Sequence, residues 1–124
     1  MDVSAKLQIK PGQRVATVAG PGDIPAVAPA GAQPADTPDA ADVVVAFARN
    51  RAELDAIAGP AIDAARRDRL AWIAYPKAGK LGTDLNRDVL RETLADRGVQ
   101  PVRQVAIDEV WSALRLVWRA ERRC

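Results

Sequence analysis

Histidine is absent from this chain, and cysteine occurs once, as the last residue, Cys124. Those two shortages exclude a good deal. A structural zinc site needs Cys and His ligands, so none can be assembled and no metal site is expected. A Ser-His-Asp or Cys-His nucleophile system is excluded as well. Any acid–base work would fall to Asp, Glu, Lys or Tyr, and no catalytic residue stands out. An internal disulfide is impossible. The terminal thiol could link two copies into a homodimer or do nothing, and the second reading is favoured because chain ends are usually mobile and a reactive thiol needs a positioned environment. Aromatics are scarce: three Trp, one Tyr and one Phe. No apolar stretch approaches the roughly 20 residues of a membrane helix. Residues 1–4 carry no basic region followed by an apolar run. The expectation is a cytoplasmic protein that does not engage a membrane.

The 124 residues suit one domain. A chain of that size buries roughly two-thirds of its unfolded surface, enough for a core without staples. The net charge of +2 is unevenly spread. Residues 1–48 carry three basic and five acidic groups, and residues 49–124 carry fifteen and eleven. A basic second half raises nucleic acid as a partner. Acids are interleaved with the bases, however, so this partner ranks below a protein or an anionic small molecule.

Along the chain, residues 1–13 read as a lead-in closed by the turn signal Lys10-Pro11-Gly12-Gln13. A strand is expected over 14–19. Residues 20–41 form an irregular segment rich in Pro, Ala and Gly, with room for a helical turn near 24–28 and a weak edge strand near 31–34. Residues 43–48, Val-Val-Val-Ala-Phe-Ala, are the pattern of a strand buried on both faces. Leu54, Ile57, Ala58, Ala61, Ile62 and Ala65 recur at helical spacing. Gly59-Pro60 predicts a break, with Pro60 opening a second piece. A strand follows over 70–75, then a polar loop. Thr83 or Asp84 is the expected cap of a helix over 84–97 that Gly98 stops. Strands over 102–107 and 111–118 flank a turn at Asp108-Glu109, which makes an antiparallel hairpin.

Strands alternating with single helices imply parallel strands and right-handed crossovers. The expected fold is therefore α/β: a three-layer, Rossmann-like, mostly parallel sheet with helices on both faces, ending in an antiparallel hairpin. From Asp42 onward this order resembles the later half of a class I methyltransferase. The resemblance implies that the last strand inserts between the third main strand and its hairpin partner. A closer resemblance rests on Lys6-Leu7-Gln8-Ile9-Lys10-Pro11-Gly12, Trp72-Ile73-Ala74-Tyr75-Pro76-Lys77, Thr83-Asp84-Leu85-Asn86-Arg87-Asp88, Gln104-Val105-Ala106-Ile107-Asp108 and Trp111-Ser112-Ala113-Leu114-Arg115. These segments are similar to an uncharacterised family of small bacterial proteins, a domain of unknown function. That resemblance implies no activity.

In open α/β sheets, ligands bind beyond the carboxyl ends of the strands. The loops expected there offer Gly20, Gly22, Arg49, Arg51, Lys77, Lys80 and a helix start at Thr83. Cationic side chains beside free N–H groups suit an anion. The plainer alternative is a set of solvated loops, with Asp84 already satisfying the helix dipole. Val18-Ala19-Gly20-Pro21-Gly22 stands where a dinucleotide or S-adenosylmethionine enzyme keeps its glycine loop. Pro25 occupies the place of the third glycine, and the first strand lacks the usual acid, so no cofactor is expected. Asp84, Asn86, Arg87 and Asp88 lie within about one helical turn. They read better as helix-start residues than as a cation site, with exposed pairs among Arg87, Arg91, Asp88 and Glu92. Trp72, Trp111 and Trp118 read as core residues before they read as base-stacking platforms. Taken together, the expectation is a non-catalytic module that binds a protein or an anionic small molecule. A degenerate S-adenosylmethionine-dependent methyltransferase is the first alternative, and a nucleic-acid-binding accessory protein the second.

Overall fold

A run without a single polar side chain is best accommodated in the middle of a sheet, and Val43–Phe47 lies there, buried at every position. A computed structural model of the protein describes residues 7–10, 12–19, 33–34, 37, 40–77 and 83–118. The elements are β1 (Arg14–Ala19), β2 (Gln33–Pro34), β3 (Val43–Phe47), α1 (Arg51–Arg66), β4 (Leu70–Pro76), α2 (Arg87–Ala95), β5 (Val99–Ala106) and β6 (Trp111–Trp118). Five full strands and the two-residue β2 form one sheet in the order β2-β1-β3-β4-β6-β5. The sheet is mixed. β2, β1, β3 and β4 pair in parallel, whereas β6 is antiparallel to both its neighbours. β6 therefore sits between β4 and its hairpin partner β5, the insertion expected for the last strand.

Alternation along β3 and β4 divides the core. Val44, Ala46, Ala71, Ile73 and Tyr75 share one cluster with Leu54, Ile57 and Ala61 of α1 and with Leu90 and Leu94 of α2. Val43, Val45, Phe47, Trp72 and Ala74 belong to a second cluster. Among the described residues, both helices thus pack on one face, where helices had been expected on two. The other face is covered by Leu7, Ile9, Ile107 and Trp111. Leu7 and Ile9 had read as a lead-in, yet both are buried. The reason is a side-chain hydrogen bond: the Trp72 indole Nε1 donates to the Leu7 carbonyl at 3.0 Å inside the core. Trp111 meets Phe47 edge to face, with centroids 5.2 Å apart. The predicted turn at 10–13 is present, with Gln13 N donating to the Lys10 carbonyl and Lys10 N to the Gln13 Oε1.

The expected break in the first helix does not occur: α1 is continuous, with Pro60 inside it. The clash that keeps a residue out of the helical region before proline involves its Cβ, and Gly59 has none. One intrahelical hydrogen bond is lost at Pro60. Burial of Ala61, Ile62, Ala64 and Ala65 beyond it outweighs that loss. The second helix is shorter than the sequence implied. Its cap is Asn86, not Thr83 or Asp84: the Asn86 Oδ1 accepts the Val89 N–H at 2.9 Å. Gly98 ends that turn as expected, at a φ of 89° that favours a residue without Cβ.

β5 begins at Val99 and not at 102, because Gly98 returns the chain straight into the pairing Val99↔Trp118. The register shifts between Pro101 and Arg103, which makes Val102 a bulge on an edge strand. Proline and a bulge both discourage further strand pairing there. The turn at 108–110 is held by the Asp108 Oδ1, which accepts from Val110 N and Trp111 N. Gln33–Pro34 pairs with β1 at the far edge, where a weak strand was expected. The proposed turn at 24–28 lies outside the described residues.

Replacing Pro60 by Ala should restore a donor to the helix without touching its buried stripe. The expected gain is about 1–3 kcal/mol. It is read as a higher urea midpoint at unchanged slope. A lower midpoint would mean that the proline ring itself is part of the packing.

Candidate functional site

The carboxyl ends of β1, β3 and β4 lie on one edge of the sheet, because these strands are parallel. β6 is antiparallel to β4, so its first residues arrive at the same edge. Tyr75 and Ser112 are direct partners across that pairing. The loop after β4 leads into α2, whose first turn stands over the same place. A cleft of about 290 Å³ opens here. Its walls are Tyr75 and Lys77 from the end of β4, Asn86, Arg87 and Asp88 from the start of α2, Gln104 from β5 and Ser112 from β6.

The chemistry of the cleft is mostly donation. Lys77 and Arg87 supply positive charge, and neither forms an ion pair among the described residues. Asp88 is the one carboxylate of the wall, and it is engaged by Arg91 at 2.7 Å. That pair is exposed and contributes only a few tenths of a kcal/mol. Asn86 spends its carbonyl oxygen on the helix cap, which leaves its amide N–H groups as donors. Ser112 is the one buried polar side chain among the described residues. The start of α2 adds the positive end of a helix dipole.

Tyr75 is the only tyrosine of the chain and is nearly fully buried. The Gln104 Nε2 donates to its hydroxyl oxygen at 3.1 Å. Burial raises its pKa above the ordinary 10.0, while the Arg87 charge and the Gln104 hydrogen bond pull it part of the way back. The phenol is therefore protonated at neutral pH. With its oxygen already accepting from Gln104, its proton is left to donate.

The sequence-expected site residues do not all gather. Lys77 lines the cleft. Arg49 is turned to Glu53, at 3.3 Å, and both are largely buried. Arg51 is exposed, and its backbone N–H donates to the Asp84 Oδ1 at 2.9 Å. Asp84 thus satisfies the start of α1, where it had been expected to serve its own helix. Asn50 and Glu53 complete that closure: the Asn50 Oδ1 accepts from Glu53 N and the Glu53 Oε1 from Arg49 N. Thr83 is occupied locally, with its Oγ1 accepting from Leu85 N. Gly20, Gly22 and Lys80 lie outside the described residues. The cleft residues that sequence reasoning did not assign to the site are Tyr75, Asn86, Arg87, Asp88, Gln104 and Ser112. Ser112 had a signal, as a lone hydroxyl in an apolar strand. Gln104 had none, because only the strand pairing brings it near Tyr75.

Fold and site together define an α/β sheet protein with a donor-rich, cation-lined cleft at the carboxyl edge of its parallel strands. No family model, curated protein or solved structure matches the chain. Among the described residues, no helix is long and apolar enough to cross a membrane, and no three His, Cys, Asp or Glu side chains gather where they could hold a metal ion.

Because Tyr75 is the sole phenol, its ionisation can be followed by ultraviolet absorbance. Its folded pKa should lie above 10.0, and Arg87→Ala should raise it further by removing a favourable charge. A group with a raised folded pKa contributes stability that is fully present below its unfolded pKa. That stability is lost as pH rises through the folded value. Stability should therefore fall above the ordinary phenol pKa by an amount that Tyr75→Phe removes. Titration at or below 10.0 in the folded protein would contradict the burial of this hydroxyl.

Proposed function

We propose that this chain is a non-catalytic α/β binding module that takes an anionic small molecule in the cleft between β4, β5, β6 and the start of α2. The observation that carries this reading is the wall itself: Lys77 and Arg87, without ion-pair partners among the described residues, beside the donors Tyr75, Ser112 and Gln104. Hydrogen bonds to a charged group are stronger than neutral ones, so a ligand with negative charge gains most there. Support for a binding role over a catalytic one comes from the same residues. No histidine is available to activate Ser112, and the one cleft carboxylate is engaged by Arg91. The architecture is read as a Rossmann-like layered sheet in truncated, class I methyltransferase-like order. The position of β6 between β4 and β5 supports that order.

The test is a titration of the protein with inorganic phosphate and small carboxylates, followed by amide NMR shifts. Shifts should concentrate at Lys77, Arg87, Gln104 and Ser112. Lys77→Ala and Arg87→Ala should each weaken binding about tenfold or more, the worth of one charge-assisted hydrogen bond. Shifts spread evenly over the surface, or unchanged affinity in both variants, would refute the assignment.

The strand order also favours a second reading, a degenerate methyltransferase that retains its S-adenosylmethionine site. S-adenosylmethionine or S-adenosylhomocysteine at one hundred times its Kd should stabilise the fold by about 2.7 kcal/mol. For a domain of this size that is a rise of several degrees in Tm. No rise at millimolar ligand removes this reading and leaves the anion site untouched.

A further inference from the structure

The cleft is graded in charge. Its outer wall carries the cations: Lys77, half-buried just past the end of β4, and Arg87, exposed in the first turn of α2. Its inner wall belongs to the sheet itself. Tyr75 and Ser112 are direct partners across the β4–β6 pairing, and they are only 3 % and 5 % exposed. Among the described residues, the strands contribute no charged side chain to this cleft.

Ser112 is the decisive group. A buried hydroxyl without a hydrogen bond is costly, and buried polar groups of folded proteins are nearly always partnered. The Ser112 hydroxyl lines the cleft and has no hydrogen-bond partner among the described residues. Beside it, the Tyr75 hydroxyl accepts from Gln104 and has its own proton left to donate. Two neutral donors at one buried place fit a single uncharged oxygen acceptor. A charged group there would lose its water among neutral donors, away from the cations. A phosphate carries charge on oxygens that point in every direction, so part of it would face this inner end. A carboxylate confines its charge to two coplanar oxygens, which the Arg87 fork and the Lys77 ammonium take together.

We infer that the ligand of this cleft is a small carboxylic acid that carries a second, uncharged oxygen, a hydroxyl or keto group. Its carboxylate lies between Lys77 and Arg87, and its uncharged oxygen takes the protons of Ser112 and Tyr75. The inference rests on the anion reading of the cleft and adds the chemistry of the ligand's other end. No bond is made or broken.

The experiment titrates the full chain with three-carbon acids of equal charge, propionate, lactate and pyruvate, and with inorganic phosphate, at neutral pH and fixed ionic strength. Lactate or pyruvate should bind about tenfold tighter than propionate, the gain expected from hydrogen bonds to one buried oxygen. Ser112→Ala should cut that ratio to about threefold or less. Tyr75→Phe keeps the ring and should act in the same direction, and it carries the test if Ser112→Ala fails to fold. Arg87→Ala should instead weaken all three acids alike and preserve the ratio. Equal affinity for the three acids, or a ratio that survives both sheet variants, overturns the inference while the anion site stands. Tighter binding of phosphate than of both lactate and pyruvate also overturns it, because charge is then accepted at the inner end. If none of the four anions binds, the anion reading falls and the inference falls with it.

Discussion

The parallel pairing of β3 with β4 is the constraint from which the rest follows. Neither strand carries a charged side chain, and the register Val43↔Leu70 to Phe47↔Ala74 puts both in the middle of the sheet. Parallel neighbours need a crossover, which is α1, and the crossover needs its apolar stripe against Val44, Ala46 and Ile73. The opposite face must then be closed by something else. The chain uses Leu7, Ile9 and the hairpin residues Ile107 and Trp111 for this, tied by the Trp72–Leu7 hydrogen bond. Because β3 and β4 point the same way, the loops that follow them share one edge. Because β6 returns against β4, a third strand delivers Ser112 to that edge.

The two helix starts at this edge are treated differently. α1 is sealed, with Asn50, Glu53 and Asp84 together taking the N–H groups of Glu53, Arg49 and Arg51. The Asp84 contact also ties the loop before α2 to the start of α1, across 33 residues of sequence. α2 receives a side-chain cap from Asn86, and among the described residues its nearby cations Lys77 and Arg87 have no ion-pair partner. The start of α1 thus has three side-chain acceptors on its N–H groups, whereas α2 has its Asn86 cap and a first-turn Asp88 that is engaged by Arg91. This contrast is what separates the site from the other loops on the same edge.

Much of the fold was legible because its signals are local. Continuous β-branched runs marked β3, periodicity marked α1, and glycine marked the end of α2. The misreadings each involve a force that local pattern does not carry. Pro60 reads as a breaker until the burial on both sides of it is known. Leu7 and Ile9 read as part of a short lead-in until Trp72 supplies a partner 65 residues away. Arg49 reads as a free cation until its ion pair with Glu53 is seen, and Arg51 enters only through its backbone N–H, which Asp84 accepts. For the site, the right edge of the sheet and Lys77 were legible. Gln104 was not, because its role depends on which strand lies beside β6.

By itself the sequence determined the element types, the central position of the two apolar strands, and the absence of histidine- and cysteine-based chemistry. These follow from side-chain periodicity and from which residues exist at all. Only the tertiary structure decided that the described helices share one face, that α1 runs through Pro60, and that Tyr75, Arg87, Gln104 and Ser112 surround one cleft. Those outcomes are set by contacts between residues tens of positions apart. Their energies depend on pairing register and burial, which no short stretch of chain contains.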